Sequence, residues 1–126
     1  VRQAMEEPSC VLDAPCTPRE LMGVLGKAKL CLAMRLHTLI FAARMAVPCI
    51  GLVYDPKVES YLQELDMPSA GHVEHFNQEE AIDCADRMMK DYESNLARLR
   101  QKSEALAKAA LLNEELLLDL LKRTAG

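Results

Sequence analysis

Apolar runs that alternate with capped helical segments predict an α/β fold, a parallel sheet flanked by helices and followed by a long carboxyl-terminal helix. Three observations carry this reading. Lys29 to Met34 and Cys49 to Tyr54 are short apolar runs without polar alternation, as expected of strands covered on both faces. Helix-start signals recur between and after such runs, most clearly at Asp55-Pro56. From Asn77 onward, apolar residues return in steps of three and four, the spacing of a long packed helix. The 126 residues suit one domain, with strand–helix repeats over 1–76 and helices over 77–126.

Taken in order, residues 1–7 read as the end of a helix that Pro8 stops, and Ser9 to Leu12 as a short strand. Thr17-Pro18-Arg19-Glu20 opens a helix: Thr17 caps, Pro18 suits the first helical position and Glu20 completes a capping box. Leu21, Val24 and Leu25 then face one side, and Gly26 ends the helix. After the Lys29–Met34 strand, Leu36, Leu39, Ile40 and Ala43 fall at helical spacing, and the alanines allow close approach to a sheet. Pro48 ends this connection and the Cys49–Tyr54 strand follows.

Asp55 and Pro56 then start a helix that runs to about Leu65, with Lys57 at its second position. Met67 to Gly71 reads as a loop and His72 to Phe76 as a weak strand. The strand–helix unit thus recurs roughly four times, with right-handed crossovers. Asn77 and Glu80 form a second capping box. The helix beyond them carries a heptad-like seam of Ile82, Ala85, Met89, Tyr92, Leu96, Leu99, Ser103, Leu106 and Ala110. Leu116 to Leu121 either continues it or forms a separate helix after Asn113. Five leucines in those six positions are too many for one face of a free helix. They need cover from the core, a second chain or an amino-terminal domain.

Charge and composition exclude several functions. Half of the chain is apolar, enough for a core, and 27% is charged. The absence of Trp, the 4% aromatic content and the net charge of −4 argue against a nucleic-acid partner. Residues 1–57 carry seven Lys/Arg against five Asp/Glu, a net of +2; residues 58–126 carry eight against fourteen, a net of −6. Cys10, Cys16, Cys31, Cys49 and Cys84 contain no C-x-x-C pair, so they read as reduced thiols rather than zinc ligands. The H-x-E-H run at His72, Glu74 and His75 lacks zincin spacing, and no metal site is expected. Dinucleotide-binding, Walker and G-x-S-x-G motifs do not occur. No apolar stretch reaches the length of a membrane span. The opening VRQAMEEP has neither an initiator Met nor a signal-peptide pattern, so the chain is expected to begin inside a longer protein.

The positive half holds the candidate site. Arg35 and His37 sit just past the end of one strand, and Tyr54, Asp55 and Lys57 just past the end of the next. In open α/β sheets this rim binds ligands. A guanidinium at Arg35 can grip a carboxylate or phosphate with two parallel hydrogen bonds, or pair with a neighbouring acidic residue. His37 meets the positive end of a helix, where an imidazole can serve as acid or base, or sit half-buried and satisfied. Lys57 opposes its own helix dipole, which an intervening anion would explain and plain solvent exposure would not require. Tyr54 can reach a ligand hydroxyl or plug the core edge. Asp55 reads as a cap rather than a catalyst.

The stretch MRLHTLIFAARMAVPCIGLVYDPKV resembles the polysaccharide pyruvyl transferase family. It carries an R-L-H motif, an apolar helix, a VP turn and a strand ending Y-D-P-K, in that order. The TPREL helix before it and the Leu-rich final helix are also similar to the family's carboxyl end, so the resemblance extends over the whole chain as a carboxyl-terminal part. It implies a Rossmann-like domain forming half of a glycosyltransferase-B-like fold. It implies transfer of pyruvate from phosphoenolpyruvate to a saccharide or lipid-linked saccharide as a ketal, in cell-envelope or exopolysaccharide synthesis. The compartment implied is the cytoplasm or the inner face of the membrane, with no cofactor. Arg35, His37, Lys57 and Tyr54 would bind the donor, with His37 as the acid or base. A missing amino-terminal domain, or a second copy joined through the carboxyl-terminal helices, would complete the protein, and the piece alone would be inactive. A nucleotide-sugar site of a glycosyltransferase and a non-enzymatic interaction module are the competing readings.

Overall fold

A computed structural model describes residues 2–125. It is an α/β structure with five helices: α1 (Pro18–Leu25), α2 (Leu36–Arg44), α3 (Pro56–Leu65), α4 (Gln78–Lys90) and α5 (Tyr92–Thr124). Three strands, β1 (Cys31–Ala33), β2 (Cys49–Val53) and β3 (Ser69–His72), form one parallel sheet in the order β1-β2-β3. Cys31 pairs with Cys49 and Ala33 with Gly51, so β1 and β2 end side by side.

The helix starts follow the sequence signals. At α1, Thr17 Oγ1 accepts from the Glu20 amide while the Glu20 carboxylate accepts from the Thr17 amide at 2.8 Å. Those hydrogen bonds hold the Glu20 carboxyl below the usual carboxylate range. At α3, Asp55 Oδ1 accepts from the Lys57 amide at 2.8 Å and Pro56 takes the first helical position. At α4, Asn77 Oδ1 accepts from the Glu79 and Glu80 amides.

The strands depart from expectation in three places. Ser9 to Leu12 carries no regular structure and is largely exposed, because no neighbouring strand is present to pair with it. The third strand lies earlier than predicted: Ser69 to Gly71 belong to β3, and Val73–His75 is a 3-10 turn. Small residues that read as a loop serve here as an edge strand. The strand–helix unit therefore recurs three times, not four. At the amino end, the expected helical segment reduces to a 3-10 turn at Arg2–Ala4.

β2 is buried along its length, as its apolar run predicts. β1 is not, since Leu32 remains 56% exposed. β1 is an edge strand with one face left open, so cover on both faces holds only for the central strand. α1 lies at the periphery and buries no residue fully; Leu21 and Leu25 turn partly inward while Val24 does not.

The core lies between the sheet and the layer of α2 and α3, with α5 packed across that layer. Leu39, Ala42, Ala43, Val58, Leu62 and Leu65 fill it from the helices, and Cys49, Gly51 and Val53 from β2. Gly51 sets the spacing. A Cβ there would fall inside the van der Waals radius of the Leu62 side chain. α3 therefore rests directly on the β2 backbone. Ala46 and Asp66, the residues after α2 and at the end of α3, both adopt the left-handed conformation (φ 55°) that closes a helix.

The long helix is interrupted. α4 ends at Lys90 and α5 begins at Tyr92, with Asp91 at φ −104°, ψ 36°. The buried stripe nonetheless keeps one phase across the break, through Cys84, Met88, Asn95 and Leu99. In α4 the buried residues are Cys84 and Met88, each one position from the expected seam, and Ile82 and Met89 face solvent. In α5 the seam holds at Leu99, Ser103 and Leu106, with Asn95 buried in place of Leu96. Asn95 Nδ2 donates to the Met88 carbonyl at 3.1 Å, meeting an acceptor that the end of α4 leaves open. Ser103 Oγ donates to the Ala43 carbonyl at 3.3 Å and fastens α5 to α2. The Leu-rich tail continues α5 instead of forming a separate helix. No helix among the described residues is long and apolar enough to cross a membrane.

Cys31, Cys49 and Cys84 are buried free thiols, and Cys10 and Cys16 are exposed. Burial pushes the Cys49 thiol up from 9.0 to about 12, helped by the neighbouring Cys31. The unfolded chain ionises this thiol first, so its contribution to stability is complete below pH 9.0 and is lost as the pH rises towards about 12.

Two outcomes are expected. Gly51→Ala forces Leu62 out of its position and should destabilise the fold by about 1–3 kcal/mol in urea unfolding. A thiol reagent at neutral pH should modify Cys10 and Cys16 in the native chain, and Cys31, Cys49 and Cys84 only after unfolding; alkaline titration followed by circular dichroism should show unfolding above pH 9.0 that Cys49→Ala delays.

Candidate functional site

Parallel pairing of β1 and β2 brings two helix starts to one edge of the sheet. β1 runs out at Ala33, and Met34-Arg35 lead into α2. β2 runs out at Val53, and Tyr54-Asp55 lead into α3. Arg35 is the N-cap residue of α2, His37 its second helical residue and Lys57 the second helical residue of α3. Arg35, His37, Tyr54 and Lys57 are all exposed on this carboxyl edge. The basic residues read from the sequence as a rim therefore do lie along one rim.

Their side chains are free to meet a ligand. Among the described residues the ion pairs are Arg98–Asp66, Lys108–Glu104 and Arg123–Asp119, and none involves Arg35, His37 or Lys57. The structural ion pair that would have explained Arg35 is therefore not formed. Lys57 borders a depression of about 350 Å³ between α2 and α3, lined also by Leu36, Ile40, Pro56, Ser60, Tyr61 and Glu64. Arg35, His37 and Tyr54 lie outside that depression. The four residues thus share an open edge rather than an enclosed pocket.

The two helix starts differ in one respect. Asp55 caps α3 with an acceptor, which fits its role as a cap rather than a catalyst. α2 has Arg35 at the same position and no side-chain cap. A guanidinium carries only donors, so it cannot accept from the first amides of the helix. The Thr38 and Leu39 amides donate to the Arg35 carbonyl, so the α2 start presents the Leu36 and His37 amides, the positive end of a helix dipole and two basic side chains together, with no side-chain acceptor among the described residues. An anion with two or more oxygens is the chemical complement of that set. The weak strand expected over His72 to Phe76 does not form: His72 ends β3, Glu74 and His75 lie in the 3-10 turn, and all three are exposed.

Residues 3–56 match the model of the polysaccharide pyruvyl transferase family. The matched stretch contains β1, α2, β2 and the cap of α3, and with them Arg35, His37 and Tyr54. It covers under half of the chain and ends one residue before Lys57, so the pyruvyl transferase match is narrower than the resemblance read from the sequence. α4 and α5 lie outside it. Searches of curated proteins and of solved structures give no match.

The uncapped start of α2 can be probed by stability. Arg35→Asp places an acceptor at the N-cap and is expected to stabilise the chain by about 0.5–1 kcal/mol in phosphate-free buffer, measured by urea unfolding. An equal or lower stability would mean that the amides of α2 already have a partner.

Proposed function

We propose that this chain is the donor-binding part of a polysaccharide pyruvyl transferase and that its donor is phosphoenolpyruvate. The observation that carries the reading is the α2 start, where Arg35 takes the cap position and leaves the first two helix amides, of Leu36 and His37, without a side-chain acceptor, inside the stretch that matches the family. Phosphoenolpyruvate bears a carboxylate and a phosphate ester on the same carbon, C2. Arg35 and the α2 amides suit one of these groups, and Lys57 on the neighbouring helix start suits the other. Tyr54, exposed just past the end of β2 on the same edge, offers a hydroxyl donor.

The chemistry then follows from charge. Ketal formation adds a proton to C3 of the enol and develops positive charge at C2. One sugar hydroxyl attacks C2 and loses its proton, and the C2–O bond to phosphate breaks. The second hydroxyl attacks C2 and loses its proton in turn. In balance, C3 gains one proton, the two hydroxyls lose two, and inorganic phosphate leaves with the other. His37 at the edge of the site can deliver or accept one of these protons. Arg35 and Lys57 stabilise the charge that gathers on the departing phosphate.

Family resemblance further supports a glycosyltransferase-B-like arrangement, with this α/β unit as the carboxyl-terminal half. The exposed, one-sided site agrees with a cleft whose second wall, holding the saccharide acceptor, belongs to another domain. On this reading the product serves cell-envelope or exopolysaccharide synthesis.

Titration of the 126-residue chain with phosphoenolpyruvate, followed by calorimetry and by amide shifts, tests the proposal. Binding should perturb the amides of residues 35–38 and 57. Arg35→Ala and Lys57→Ala should each weaken it about tenfold or more, the worth of one charge-assisted hydrogen bond. In the protein containing its remaining domains, His37→Ala should lower pyruvyl transfer with little change in donor affinity. Displacement of phosphoenolpyruvate by a nucleotide sugar would instead favour a glycosyltransferase site. Unchanged binding by the Arg35 and Lys57 variants would overturn the assignment.

A further inference from the structure

The part of α5 beyond the core is unaccounted for by the donor site. Every described residue after Leu106 is exposed, so α5 leaves the body of the protein near Ala107 and continues to Thr124. That projection is about 27 Å of helix at 1.5 Å per residue. An isolated helix of this length has marginal stability in water. Seven leucines lie between positions 111 and 121, each about half exposed. They are too numerous for a single stripe, and Leu117 and Leu121 prolong the face that Leu99, Ser103 and Leu106 bury against the core.

A cavity of about 550 Å³ opens beside the point where α5 departs. Its apolar walls come from Ile40, Ala43 and Tyr61 on the helical layer and from Leu106, Ala107 and Ala110 on α5. Arg44 and Arg100 stand at its border, and neither forms an ion pair among the described residues. Glu104 also lines it, but is paired with Lys108 at 3.8 Å. The cavity is thus apolar with two unpaired cations, and the tail carries Glu114 and Glu115 beside its leucines, unpaired among the described residues, while Asp119 is paired with Arg123 at 3.8 Å.

We propose that two copies of the chain associate through antiparallel α5 helices, each laying its leucine tail into the cavity of the other. The α5 face that lines the cavity runs through Arg100, Ser103, Ala107 and Ala110 and continues through Glu114, Leu118 and Leu121 at steps of three and four. A two-fold axis near Lys108 and Ala109 sets Ala107 opposite Ala110 of the second copy, where small side chains permit close approach. It sets Ser103 opposite Glu114, and so brings Arg100 within one helical turn of that carboxylate. Leu117 and Leu118 of the tail then reach the apolar wall of the cavity. The face is self-complementary, as a two-fold interface requires.

Sedimentation velocity on the 126-residue chain tests this. A dimer is expected at about 10 µM, weakening as salt rises. Leu118→Glu with Leu121→Glu should give a monomer whose near-UV spectrum and core unfolding are those of the parent chain. Arg100→Glu and Glu114→Arg should each weaken the dimer about tenfold, and the double exchange should restore it. A monomer at all concentrations, a higher oligomer, or single charge reversals that leave association unchanged would overturn the proposal.

Discussion

The parallel alignment of β1 with β2 is the constraint on which the candidate site depends. Parallel strands need a crossover, and here α2 supplies it in nine residues. Because both strands run the same way, each ends at the same edge and each hands over to a helix there. Helix starts carry unpaired amides and positive dipole ends. Two of them are thus collected on one rim before any particular side chain is considered. The crossover must also lie close to the sheet. Ala42 and Ala43 on α2 and Gly51 beneath Leu62 of α3 provide that closeness. A bulkier residue at any of these positions would push a helix start away from the edge it helps to build.

Stability and site chemistry conflict at one residue. α1, α3 and α4 are capped by Thr17, Asp55 and Asn77, each an acceptor that meets the amides of the first turn. α2 has a guanidinium at that position. Helix energetics disfavour a cation at a helix start, while the same cation favours an incoming anion. Lys57 shows a milder form of the conflict. Its side chain opposes the α3 dipole while its amide is satisfied by Asp55. The rim therefore divides between a helix start completed by the chain and one that a ligand would complete.

Local chemistry was the part of the fold legible in the sequence. Thr17 with Glu20, Asp55 with Pro56, and Asn77 with Glu80 act through neighbours three residues away or fewer, so the residue types alone announce them. The rim residues were legible for the same reason, because the end of a buried run and the start of a capped helix are both local. Interactions over longer range were not. Ser9 to Leu12 has strand-like composition but lacks a partner. Ser69 to Gly71 has loop-like composition, yet β2 offers an open edge with which it pairs. The buried stripe runs one residue before the expected seam at Cys84, Met88 and Asn95, since apolar Ala85, Met89 and Leu96 stand beside those positions and residue type alone does not tell which neighbour turns inward. Buried Asn95 gave no sign of itself, because its value lies in reaching the Met88 carbonyl across the helix break at Asp91.

α5 serves two surfaces with one helix. Up to Leu106 its inward face is closed by the core, and Ser103 ties it to the last turn of α2. From Ala107 on, the same periodicity continues with nothing beneath it. Packing against α2 and α3 fixes the direction in which the helix leaves, so the projecting leucines are presented by a rigid base rather than by a loose tail. The candidate rim lies at the carboxyl edge of the strands, whereas the cavity beside α5 includes Arg44 and Ala46 at the far end of α2, although Ile40 and Tyr61 border both it and the depression beside Lys57. A helix of nine residues separates those ends by about 13 Å at 1.5 Å per residue. Association through α5 would therefore leave Arg35 and His37, at the opposite end of α2, uncovered.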